Sequence, residues 1–434
     1  MVRKHSVLMT GIAFVLMSVG LAQVSAAHGR GSPDADVIVE WNELLEGVLP
    51  TAGLTPPRHY AMLHIAMFDA VNSIERSYLP YRVRLNAWPS ASREAAAAQA
   101  ARDILAANFP ASVDTFDAAL KARLATIHPV LAAQGMRVGK AVAANILAWR
   151  QDDGWNVAPA PYVLPPFPGL YQPTPPAFAA AGFRQFETTK PFALLTPTQY
   201  QPVGPPTLTS QAYADALNHV QRLGSATSTE RTAEQTLLAR TFASVTNRTI
   251  HWGLWNHVAR DTARARGLSL IETARLYALL NVSIHDGLQT SHSSKFVHGF
   301  WRPVTAIRRA DEDLNDLTVA DASWTPLLTT PAYPSHAGNM ACVGASAATA
   351  LALFHGTDEL PFTAVWIGNA GNPDVSRQYT SFWQMALDQA NSRVYGGIHF
   401  SFESDASQQA CPKVARYVFE NFMQAKEARQ RVDR

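Results

Sequence analysis

The sequence predicts an all-α protein of two helical bundles, with a proline- and aromatic-rich wrap between them. Three observations carry this. Apolar residues recur at helical spacing through most of the 434 residues, with few alternating β-branched runs. Alanine-rich stretches such as Arg93 to Ala107 favour helix intrinsically. Close to half of the 28 prolines fall between residues 155 and 207, interleaved with Tyr, Phe and Trp. A proline-rich stretch with that many aromatics reads as an ordered wrap on a helical body rather than a flexible linker.

The chain opens on a secretory pattern. Arg3 and Lys4 give a positive start, an apolar run reaches about Leu21, and Val24-Ser25-Ala26 resembles a small-residue cleavage site. Residues 1–26 are therefore expected to be a signal peptide, and the mature protein to be secreted or periplasmic. Residues 27–225 are read as the N-terminal bundle plus wrap, and 226–434 as the C-terminal bundle. Helices are expected at 37–49, 57–75, 91–108, 112–126 and 129–151, with Pro110 separating neighbours and Ser112 or Asp114 as a start signal. After the wrap they resume at Gln211–Gly224, Thr229–Ala243, Thr249–Arg266, Ser269–Gln289 and His292–Arg309. A polar loop follows, then Gly338–His355, Asp374–Arg393 and Phe402–Lys426. No short repeat and no glycine-rich dinucleotide loop occurs.

Lys and Arg total 36 and Asp and Glu 34, a formal charge of +2. No basic run points to nucleic acid, and no polybasic stretch to an anionic membrane. No later segment reaches the ~18 uninterrupted apolar residues of a membrane span. Cys342 and Cys411 are the two cysteines. Export permits a disulfide between them, and two buried thiols are an equal reading. An oligomer is left open.

Two blocks carry the chemistry: Lys295-Phe-Val-His-Gly-Phe-Trp-Arg302-Pro303 and Ser392-Arg393-Val-Tyr-Gly-Gly-Ile-His399. They supply one Lys, two Arg and one His in the spacings K-x6-R-P and S-R-x5-H. Guanidinium groups fork onto paired oxygens and Lys adds a point charge, so the set suits a tetrahedral or trigonal-bipyramidal oxyanion. Lys295 and Arg302 are two helical turns apart and would project from one face. Gly396-Gly397 allow a tight turn or a close approach of backbone.

Both blocks resemble the pocket of the superfamily that joins the type 2 phosphatidic acid phosphatases to the vanadium-dependent haloperoxidases. Further stretches resemble the bacterial haloperoxidase-like branch: Val37 to Asn42, Pro56-Pro57, His64 to Asn72, Lys190 to Ala193, Pro205-Pro206 and Ser228 to Gln235. The resemblance implies vanadate as cofactor, held by Lys295, Arg302 and Arg393. His399 stands where the haloperoxidases ligate vanadium axially and the phosphatases attack phosphorus. Such a His must be neutral at one nitrogen and oriented through the other. The orienting carboxylate could be Asp286, Glu403 or Asp405. His64 and Asp69 read as core or capping partners.

The middle motif departs from the family's P-S-x-H, which supplies a Ser hydroxyl, a backbone N–H and an acid/base His. The chain reads Pro331-Ala-Tyr-Pro-Ser335-His336-Ala-Gly338-Asn339-Met340. One register takes Pro334-Ser335-His336 as a shortened motif. The other runs without a gap to Gly344-Ala345, fits the following helix better, and puts Gly338, Asn339 and Met340 at the Ser, N–H and His positions. A thioether cannot move protons, so the second register removes the usual shuttle unless His336 compensates. His292 and His298 are weaker candidates and read as surface or packing residues.

The expected function is a vanadate-dependent haloperoxidase-like enzyme that oxidises halide with hydrogen peroxide, weakened by the altered motif. The alternatives are a phosphomonoesterase acting on phosphate esters with His399 as nucleophile, and a non-catalytic oxyanion-binding relative.

Overall fold

The computed structural model describes residues 35–49, 57–243, 251–367 and 374–426. The expected signal segment lies outside them. Thirteen α-helices and one antiparallel strand pair make up the described regular structure, apart from short 3-10 turns. The protein is all-α in this sense.

The N-terminal helices are α1 (Asp36–Val48), α2 (Arg58–Glu75), α3 (Arg93–Asn108), α4 (Val113–Leu124) and α5 (Pro129–Gln151). The Ser92 side chain caps α3 by accepting from Ala95 N–H. Two buried polar groups fix α2. Asp69 accepts from the backbone N–H groups of Tyr81, Arg82 and Val83 at 2.8, 2.9 and 2.7 Å. His64 Nε2 lies 2.9 Å from Asn42 Oδ1 on α1. Both side chains are core partners.

Residues 155–207 form no α-helix. They wrap the helical body and are held by specific bonds, among them Tyr171 N–H to Gly299 O at 2.7 Å and Trp301 N–H to Gly169 O at 2.9 Å.

The remaining helices are α6 (Gln211–Gly224), α7 (Ala233–Ala243), α8 (His251–Arg266), α9 (Leu270–His298), α10 (Pro303–Arg308), α11 (Asn339–His355), α12 (Phe382–Tyr395) and α13 (Ser401–Asn421). α9 is the centre of the molecule and packs on α2, α8, α11 and α13. The main core is continuous across it, running from Val37 and Phe68 to Leu280, Val343 and Val418. α6 packs with Trp301, Val304, Val394 and Phe400 in a second cluster. Cys342 and Cys411 form a disulfide between α11 and α13, with Cα atoms 5.3 Å apart. No helix of the described residues is long and apolar enough to cross a membrane.

Two expectations are corrected. The break at 290–291 is absent, and α9 runs 29 residues without interruption. Its Ser/Thr segment is buried, and the hydroxyls find acceptors inside the helix: Thr290 on Asp286 O at 2.9 Å, Ser291 on Leu288 O at 2.8 Å. The helix expected from Asp374 starts only at Phe382. Residues Val375–Tyr379 form β2, paired with β1 (Phe362–Trp366), whose alternate residues are buried.

Candidate oxyanion site

Each cation reaches the site from the end of an element. Lys295 sits in the last turn of α9, which Gly299 ends in the left-handed region at φ 55°. The chain then turns, so that Arg302 caps α10 with Pro303 as its first residue; this corrects the expectation of one helix over 292–309 with Lys295 and Arg302 on a shared face. Arg393 lies in the last turn of α12. Between it and His399 the chain makes a tight turn with Gly397 at φ 75°. A Cβ at Gly397 would stand 2.3 Å from Gly224 O, so that turn closes only on glycine.

The side chains converge. Lys295 Nζ donates to Ser335 O at 2.6 Å and to Ala337 O. Arg302 Nε donates to Tyr333 O at 2.8 Å, and its Nη1 to Ile398 O at 2.8 Å and His399 Nε2 at 3.2 Å. Arg393 Nη1 lies 3.4 Å from Phe242 O. His399 Nδ1 is hydrogen-bonded to Glu403 Oε2, one turn on in α13. With Glu403 as acceptor there, Nδ1 carries the proton and the Nε2 lone pair faces the cations. Lys295 and Arg302 are fully buried, His399 is 1% exposed and Arg393 9%.

Burial and mutual repulsion set the electrostatics. Burial pushes Lys295 well below its ordinary value, with Arg302 adding to the fall. Burial likewise lowers Arg393, to about 10. His399 is held neutral by burial first and then by Arg302, Lys295 and Arg393. Burial raises Glu403 to about 7, against the pull of Lys295 and Arg302.

The structure separates the three carboxylates that could orient His399. Glu403 does so. Asp405 is exposed. Asp286 is spent elsewhere, which corrects its assignment to His399. Its oxygens accept from the N–H groups of Phe192, Ala193 and Leu194 at 2.8, 2.7 and 3.0 Å, and His285 Nδ1 lies 3.1 Å away. Asp286 therefore anchors the wrap to α9.

In the middle motif, α11 begins at Asn339 and Gly338 is its N-cap residue. The Gly338 N–H donates to Glu403 O at 3.1 Å, so it is engaged by backbone rather than open to an anion. The first N–H groups of α11 have no intrahelical acceptor. Asn339 Nδ2 lies 3.4 Å from the Tyr333 hydroxyl. Met340 is buried against a small apolar cavity lined also by Phe183, Phe186, Trp252, Leu288, His292 and Asn339. His336 precedes the helix. Its Nε2 is 2.7 Å from Val203 O, and its ring meets His298 edge-on at 5.1 Å. To serve an anion through Nε2 it would have to break that bond. His292 and His298 follow the packing reading rather than the surface one: His292 is buried against Phe186 and Tyr333, and His298, partly buried, meets His336.

Tyr333 escaped the sequence reading. Its ring centroid lies 5.3 Å from Lys295 Nζ and 4.8 Å from the Arg302 guanidinium carbon. An aromatic residue one position before a Pro-Ser pair carries no signal of its own in a single sequence.

The helical frame matches known structures. A bacterial vanadium-dependent iodoperoxidase superposes with a TM-score of 0.74 at 22% identity, over 90% of this chain and 97% of that one. The fold is that of the bacterial vanadium-dependent haloperoxidases. The apo and holo forms of a bacterial vanadium-dependent chloroperoxidase share this haloperoxidase fold, each at 16% identity. Their TM-scores are 0.68 and 0.67, covering 87% and 92% of this chain and 96% of theirs. Residues 275–427, which include all three cations and His399, match the family model of the VCPO second helical-bundle domain. Among curated proteins, none matches this chain in sequence.

Proposed function

We propose that the protein is a vanadate-dependent haloperoxidase-like enzyme, exported, in which hydrogen peroxide oxidises halide. One observation carries the reading: three buried cations surround His399, Arg302 reaching its Nε2 at 3.2 Å and Lys295 and Arg393 acting on it by charge, and one buried carboxylate, Glu403, stands among them. Buried charge without compensation costs several kcal/mol per ion. Arg302 Nη2 and Arg393 Nε are buried with no hydrogen-bond partner. An oxyanion would satisfy both, and the residues present fit vanadate.

In this reading Lys295, Arg302 and Arg393 bind the oxygens by charge-assisted hydrogen bonds. His399 offers Nε2, and Glu403 holds its proton at Nδ1. Bound vanadate supplies Lewis acidity toward peroxide without a change of oxidation state. The buried walls exclude bulk water and strengthen each of these interactions. Met340 moves no proton, so the acid–base contribution, typically about 10²–10⁴ in rate, is reduced. The buried disulfide between Cys342 and Cys411 suits an oxidising compartment and supports export.

The same lone pair fits the nucleophile of a phosphomonoesterase, so the experiment has two arms. Purified protein is assayed for stoichiometric orthovanadate binding and then for peroxide-dependent bromination of a phenolic dye. The metal-free protein is assayed against a phosphate ester. Vanadate binding with bromination supports the first reading. Ester hydrolysis without bromination replaces it, and binding with neither activity leaves a non-catalytic oxyanion binder.

A further inference from the structure

Two side chains that line the apolar cavity at the start of α11 have a buried polar atom without a partner: the Trp252 indole N–H, which can only donate, and His292 Nε2. Phe183, Phe186, Trp252, Leu288 and Met340 form its walls, and His292 faces into it. His292 is 1% exposed. Its Nδ1 lies 3.1 Å from Leu288 O one turn back in α9, and its Nε2 is buried with no partner. A carbonyl can only accept, so Nδ1 carries the proton and Nε2 presents a lone pair. Burial, and then the positive charge of Lys295, hold the ring neutral.

The cavity and the cation cluster share a wall. His292 precedes Lys295 by three residues, which places the two side chains on one face of α9. The Tyr333 ring lies 5.4 Å from the His292 ring and 5.3 Å from Lys295 Nζ. The charged and titratable groups that act on His292 are Lys295 from its own helix and Arg302 from the turn beyond it, with the Tyr333 phenol packed against its ring. Lys295, Arg302 and Arg393 can only donate. Beside the acceptor His399 Nε2 and the Glu403 carboxylate, His292 Nε2 adds a neutral acceptor with no partner of its own.

We propose that His292 makes the pocket selective for protonated tetrahedral oxyanions, its Nε2 accepting the O–H of a hydrogenphosphate- or hydrogenvanadate-type anion and repelling a fully deprotonated one. An acceptor-only group pairs with an O–H and meets a bare oxyanion lone pair to lone pair. Sulfate has the same size and shape as phosphate and carries no proton near neutral pH. The proposal rests on the oxyanion reading of Lys295, Arg302, Arg393 and His399, and refines which anions that site accepts.

The test is calorimetric titration of the full mature chain with inorganic phosphate and with sulfate at pH 7, in wild type, His292→Gln and His292→Phe. One hydrogen bond to a charged group corresponds to roughly 10-fold or more in affinity, so wild type prefers phosphate by at least that factor. His292→Gln can turn its amide N–H to the anion, and the phosphate-to-sulfate ratio falls toward one. His292→Phe matches the aromatic surroundings, which guards against a folding failure, and loses phosphate affinity without gaining sulfate. A ratio that stays at the wild-type value in both variants overturns the proposal while leaving the pocket intact. A wild type that does not discriminate overturns it too. Failure of wild type to bind either anion removes the oxyanion reading itself, and this proposal with it.

Discussion

His399 and Glu403 are one turn apart on the same chain segment, yet only one of them touches the anion in the proposed site. In that site His399 would supply the coordinate bond, so His399→Ala is expected to abolish tight vanadate binding in equilibrium dialysis. Glu403→Gln keeps an acceptor at Nδ1 but removes its charge, and a loss of about 10–100-fold is expected, the usual effect of an outer partner. Unchanged affinity in His399→Ala would remove the central assignment. Met340 is the second test at this scale. Met340→His returns an imidazole to the second position of α11, facing the cavity beside the cations. Peroxide-dependent bromination at equal vanadate occupancy is expected to rise at least 10-fold, within the range of positioned acid–base catalysis. Adding Gly338→Ser is the poorer experiment, because a Cβ there would stand 3.1 Å from Glu403 O. An unchanged rate in Met340→His would return attention to His336.

At the scale of elements, the helices were legible because apolar periodicity is a local property, and the two cation blocks because a rare residue set recurs in fixed spacing. What could not be read depends on distant partners. Asp286, Glu403 and Asp405 are equivalent as letters. Asp286 is decided by backbone donors at 192–194, more than ninety positions away. The polar run Gln289 to Ser294 looked like a helix end because its hydroxyls have no apolar period. The structure buries it and satisfies Thr290 and Ser291 within the helix. The strands β1 and β2 are five residues each, too short to stand against neighbouring helical patterns. Asp286→Ala tests the anchor. It leaves three buried N–H groups without an acceptor, at about 1–3 kcal/mol each. The expected outcome is proteolytic nicking near 190–195 and a lowered melting temperature, with phosphate affinity changed far less than in Lys295→Ala.

For the whole molecule, the relevant inventory is buried imidazole. Burial holds His59 and His355 at about 4, and His64, His251 and His292 at about 3. Their depressed values mean that the unfolded chain binds protons these groups refuse when folded, so stability is lost as pH falls below about 6.5. Asp69 and Glu403 act in the opposite sense. Burial raises each to about 7, so each favours the folded state below its unfolded value and loses that contribution as pH rises to 7. Between pH 4.5 and 6 the lowered imidazoles, His336 among them, outnumber these two carboxylates, so the unfolded chain holds the excess of protons and stability falls toward acid. Urea midpoints measured across this window are expected to fall steeply toward acid, and a flat profile would show that the histidines titrate freely.

The bridge between Cys342 and Cys411 closes a loop of 69 positions and joins the helix that begins at Asn339 to the helix that carries Glu403. A cross-link over that span is worth about 4 kcal/mol in the chain-entropy account. The two helices meet beside His399: the N–H of Gly338, the N-cap of one, donates to Glu403 O at 3.1 Å, and the Glu403 side chain on the other holds the proton of His399. The history of a preparation therefore becomes part of its chemistry. The mature chain made in a reducing cytosol and the same chain made by export share one sequence, yet only the second has its two walls bolted together, and assays on the two are measurements of different objects.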